Sequence, residues 1–125
     1  MNTIEQINQK RIEADKAHTE ALTKLATSAA SAERSDSLAE HLASVARAEG
    51  AAAIWKMALS YANKIDDYQM GQEDAVASLL DEVYHPSDGH SGRGNDVLRA
   101  RFDGIRLAVK NAVRLINAME VWPIR

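Results

Sequence analysis

Residues 96–119 read DVLRARFDGIRLAVKNAVRLINAM, and this stretch decides the fold. Its apolar positions Leu98, Phe102, Ile105, Val109, Ala112, Ile116 and Met119 alternate steps of four and three. An α-helix turns about 100° per residue, so these side chains share one stripe, whereas a strand would scatter them over both faces. The segment therefore predicts an amphipathic helix over 96–121 with one seam turned to a partner helix. Asn95 or Asp96 can cap its start. Pro123 keeps it from running past Trp122.

Beside that seam lies a basic stripe. Arg99, Arg106, Lys110 and Arg114 fall within an arc of roughly 80° on the same helix. Such a row can bind phosphate, meet an acidic protein face, or pair with acids elsewhere in the chain. The third use has a ready source. Residues 66–92 carry Asp66, Asp67, Glu73, Asp74, Asp81, Glu82 and Asp88 with no lysine or arginine. Residues 93–125 carry Arg93, Arg99, Arg101, Arg106, Lys110, Arg114 and Arg125 against Asp96, Asp103 and Glu120. Mutual neutralisation of neighbouring helices is the plainer expectation, and a partner surface is the sharper one.

Upstream of the last helix, residues 85–96 read HPSDGHSGRGND, a glycine-rich loop. His85, Asp88 and His90 are metal-capable but supply only three ligands on a pliant chain, so no metal is expected. Arg93 and the surrounding glycines precede a helix N-terminus, the place for an anion. They match no phosphate-loop pattern, and a solvated linker is the plainer reading. Before the loop, residues 72–84 predict a short helix with Val76, Leu79, Leu80 and Val83 on its apolar face. It is stopped by Pro86, and Gly71 is expected to close the region before it.

Residues 37–67 predict a longer helix. Ser37 and Glu40 have the spacing of a capping box. One face carries Leu38, Leu42, Val45, Ala52, Trp55, Leu59 and Ala62. A second stripe of Ile54, Ala58, Tyr61, Ile65 and Tyr68 widens it toward the C-terminal end, so that half should be more buried. Gly50 in its middle marks a bend or a close crossing. Residues 3–32 predict a first helix, rich in good helix formers. Its seam is Ile4, Ile7, Arg11, Ala14, His18, Ala21, Leu25, Ser28 and Ala32, with polar residues where leucine is expected. That helix could therefore project as an arm or self-associate. Residues 28–37, small and polar, are expected to break the chain between the first two helices. No internal repeat is visible.

The whole chain has 125 residues, a net charge of −3 and no cysteine. This suits one domain without disulfides or thiolate metal sites. The first residues carry no basic region followed by an apolar one, and no apolar run reaches the roughly 18 residues of a membrane span. A cytoplasmic protein is the expectation. The fold class expected is all-α, an antiparallel bundle of about four helices with the second and last at its heart.

No serine–histidine–acid set can be assembled, so no catalytic residue and no cofactor are expected. The leading expectation for function is a non-enzymatic protein–protein interaction module. It would be a homo-oligomer that binds another protein through Arg93, Arg99, Arg106, Lys110, Arg114 and Trp122. Tryptophan is often an interface anchor. By analogy of type alone, a phage or mobile-element accessory protein that inhibits a host defence complex is one version. Overall acidity argues against nucleic acid. A binder of a small anion or nucleotide at residues 85–96 is the alternative. A magnesium-dependent helical nucleotide hydrolase is the third reading. It would use Asp67, Asp74 and Asp81, which are seven apart, and needs them on one inward face.

Overall fold

The computed structural model describes residues 2–30, 35–84 and 96–119, and of 35–37 the backbone alone. Four helices make up the described chain: α1 (Thr3–Ala30), α2 (Ser35–Asp66), α3 (Gln72–Tyr84) and α4 (Asp96–Asn117). They form an antiparallel up-down-up-down bundle. Asn2–Glu5 of the first helix lie beside Asn63 and Asp66 of the second, so α1 and α2 run in opposite senses. Gln72 lies at the Ile116 end of α4 and Tyr84 at its Phe102 end, so α3 and α4 do too.

The bundle is flattened. α2 and α4 run side by side in the same sense and form its centre, with α1 laid mainly on α2 and α3 mainly on α4. Among the described residues α1 and α3 do not touch. The core gathers Ile54, Trp55, Ala58, Ala62 and Ile65 from α2 and Ile105, Val109, Ala112 and Ile116 from α4. Ile7 of α1 and Ala75 and Leu79 of α3 complete it. Because α2 is covered on two sides, its latter half is apolar over a wide arc.

The first helix is not a detached arm. It packs along α2, and every described residue of its expected seam, Ile4 to Ser28, is buried or half-buried. The polar seam position at Arg11 is satisfied within the helix: its guanidinium reaches Asp15 Oδ2 at 3.0 Å and Asn8 Oδ1 at 3.1 Å. The start of α1 is held by a capping box. The Glu5 amide donates to Asn2 Oδ1 at 2.8 Å and Glu5 Oε2 accepts from the Asn2 amide at 3.3 Å. Ser28 is still inside this helix, so the break between α1 and α2 is narrower than 28–37. α2 is already helical at Ser37, two residues past its start, so Ser37 is not its cap.

Gly50 marks a close crossing. A Cβ there would sit 2.5 Å from the Arg101 carbonyl oxygen, and one at Gly104 would overlap the Arg47 carbonyl. The contact is reciprocal, and the sequence around it is alike on the two helices. Ala46-Arg47-Ala48-Glu49-Gly50 is answered by Ala100-Arg101-Phe102-Asp103-Gly104, followed at matching distances by Lys56 and Lys110, Ala58 and Ala112, and Asn63 and Asn117. The likeness is confined to short stretches, and the core positions Ile54 and Ala108, or Trp55 and Val109, differ. Arg101 Nε also reaches Glu49 Oε1 at 3.4 Å across the crossing.

α2 ends at Asp66, one residue short of the expected 67. The Gln69 amide donates to the Lys64 carbonyl at 2.8 Å and the Tyr68 amide to Ile65 at 3.1 Å. That pair of bonds is the Schellman termination, with Tyr68 in the left-handed position at φ 60°. Tyr68 is accordingly exposed and not part of the core stripe. Gly71 instead precedes α3, its carbonyl accepting from Ala75. α4 ends at Asn117, short of 121. Gln72 Nε2 donates to the carbonyls of Ile116 at 2.8 Å and Met119 at 3.0 Å, and the last turn tightens into i,i+3 bonds. No described helix is long and apolar enough to cross a membrane.

Candidate functional site

The two sides of α4 differ. Toward α2 it offers Ala100, Gly104 and Ala108, all buried, and the helices close on each other. Toward α3 it offers Phe102, Val109 and Val113, which line an open groove with Leu80, Val83 and Tyr84 of α3. Helix α3 has 13 residues against 22 in α4, too few to cover the longer helix. Tyr84 stays 73% exposed and Leu80 36%. Large apolar side chains left in solvent around one groove are the usual mark of a binding surface.

Charge is sorted across this groove. Arg106 and Lys110 stand on its α4 edge. Arg106 lies over the Phe102 ring at 5.8 Å from the centroid and reaches Asp103 Oδ1 at 3.2 Å. Arg99 is exposed two turns before Arg106, nearer the start of α4. α3 carries Glu73, Asp74, Asp81 and Glu82 and no base. Glu73 sits seven residues before Leu80, two turns along the same face, and Glu73, Asp74 and Asp81 are exposed.

The expected basic stripe is thus divided. Arg99, Arg106 and Lys110 stay together, but Arg114 turns into a separate hollow. There it shares a lining with Gln6, Lys10 and Glu13 of α1, Trp55 of α2 and Asn111. Of the other expected partner-binding and loop residues, His85, Asp88, His90, Arg93 and Trp122 lie outside the described residues. Asp67, Asp74 and Asp81 are exposed instead of facing inward. Among the described residues no three metal-capable side chains gather. Sequence reasoning missed the α3 half of the groove. Leu80 was read as core and Tyr84 was not singled out, although Leu80-Tyr84 at i,i+4 beside Glu73 and Asp81 was a legible signal. No protein-family model matches this chain, and neither a curated protein nor a solved structure is found to be similar to it.

Proposed function

We propose that the protein is a non-enzymatic interaction module that binds a protein across the α3/α4 groove. One observation carries this reading: Leu80 and Tyr84 stand exposed, and Phe102 and Val113 half-buried, beside the cations Arg106 and Lys110. Apolar side chains supply the affinity in such a surface, and the charged edge sets orientation and partner choice. Arg106 is pre-positioned for this by its contacts with Phe102 and Asp103.

The test is site-specific photo-crosslinking in the native cell. A benzophenone side chain at Leu80 is expected to give protein adducts. The same group at Lys56, exposed on α2 outside the groove lining, is expected to give few. Reversing Arg106 and Lys110 to glutamate should cut the Leu80 adduct about tenfold, equivalent to roughly 1.4 kcal/mol of binding. Equal yields at Leu80 and Lys56, or a yield indifferent to the reversal, would overturn the reading.

A further inference from the structure

We infer that the α3/α4 groove is occupied by the same groove of a second copy of this chain. The inference rests on the reading of the groove as a docking face and names its partner. A twofold contact must be self-complementary, since the same patch is used on both sides. This face meets that condition. One bank, α3, bears Glu73 on the Leu80 face, Asp74 and Asp81 beside it and no base, and the other, α4, bears Arg99, Arg106 and Lys110, with Asp103 paired to Arg106. Between the banks lie Leu80, Val83, Phe102, Val109 and Val113.

Geometry fixes the arrangement. Let the twofold axis run along the groove, parallel to both helices. Rotation about it carries the α3 of the partner over α4, and the α4 of the partner over α3. Each acidic bank then faces a basic one, and the apolar floors meet in the middle. An axis in the same plane but across the helices would stack α3 on α3 and α4 on α4, acid on acid and base on base, which is unfavourable. Charge alone therefore selects one of the two face-to-face twofolds. The resulting four helices form a checkerboard around a core of valine, leucine and phenylalanine, with Tyr84 at its margin.

The face is small. A helix of 13 residues is about 20 Å long, so each copy contributes area at the low end of specific interfaces. Association is therefore expected to be weak, with a marked dependence on salt because the charged banks border solvent.

Sedimentation velocity on the purified chain over a concentration series tests this, with two doubly reversed variants. Variant one is Glu73→Lys with Asp81→Lys; variant two is Arg106→Glu with Lys110→Glu. The natural chain is expected to dimerise and to weaken about tenfold between low and high salt. Each variant alone is expected to stay monomeric, with circular dichroism confirming its helices. Mixed in equal amounts, the two should form a heterodimer, because every reversed bank again faces its opposite. Restored association also shows that both variants fold. Irradiation of the benzophenone at Leu80 should give an adduct of twice the chain mass. A natural chain that stays monomeric at the highest concentration overturns the inference, as do variants that self-associate unchanged. Adducts to a different protein from a monomeric chain overturn the second copy alone and leave the docking reading in place. No adduct at all ends both.

Discussion

Helix α4 makes two junctions, and they are built on opposite terms. Against α2 it sets glycine and alanine, and the two backbones meet at Gly50 and Gly104. Against α3 it sets Phe102, Val109 and Val113, whose bulk holds the shorter helix off and leaves a groove. Small residues let two helix backbones meet, whereas large residues beside a short helix leave apolar surface open. Substitutions on each side can break or sharpen this contrast.

The largest effect is expected at Leu79, fully buried and the main anchor of α3. Leu79→Ala should lower stability by about 3 kcal/mol, from lost burial and the cavity left behind. Urea denaturation measures it. A loss under about 1 kcal/mol would mean the site collapses around the cavity, and that α3 is loosely held instead of being part of the cooperative core.

Next is the closed junction. Alanine in place of glycine stabilises an exposed helix by about 1 kcal/mol. At Gly104 the methyl meets the Arg47 carbonyl, which is backbone and cannot swing aside. Gly104→Ala is therefore expected to destabilise by about 2 kcal/mol net, the scale of overpacking in a tight core. Gly50→Ala, whose Cβ meets the Arg101 carbonyl at 2.5 Å, should do the same to a smaller extent. Thermal melts that rise for either variant would show that the helices part without cost, and the contrast with the groove would fall.

Third is Gln72, which ties α3 to the end of α4 through two carbonyls. Gln72→Ala should cost about 1 kcal/mol, the usual net worth of such bonds. It should also speed amide exchange in the last turn of α4. Unchanged exchange there would place the termination in the i,i+3 bonds alone.

Much of this was legible beforehand. The α4 stripe named Ile105, Val109, Ala112 and Ile116, which are buried, and Leu98, Phe102 and Met119, which are half-buried, because a helix packed on one side shows its core as a simple period. The α1 seam was equally readable in position, even with Arg11 and His18 in it. What it could not reveal was the partner, since a polar seam residue satisfied inside its own helix, as Arg11 is, looks like a weak interface. Gly104, Ala100 and Ala108 were overlooked because small residues bury little area and mark no stripe, although the Arg-x-acid-Gly sequence at 47–50 and 101–104 was in view. The basic residues were found, but their division was not. Arg114 and Lys110 are four apart, and only the packing of α1 and α3 on opposite sides of α4 sends them into different hollows.

The smallest effect expected is a gain. Tyr68 holds φ 60° in the turn that leads α2 into α3. A side chain in the left-handed region costs roughly 1–2 kcal/mol, and glycine escapes that cost. Tyr68 is 58% exposed, so little burial is lost on its removal. Glycine gives some of the gain back through the greater freedom of the unfolded chain. Tyr68→Gly is therefore expected to stabilise by about 0.5–1 kcal/mol, seen as a rise in Tm of a few degrees. It lies outside both junctions of α4, so the proposed self-association should be unchanged. If the melt falls instead, the tyrosine ring makes a contact worth more than its backbone strain. The α2–α3 turn would then help to set the width of the groove.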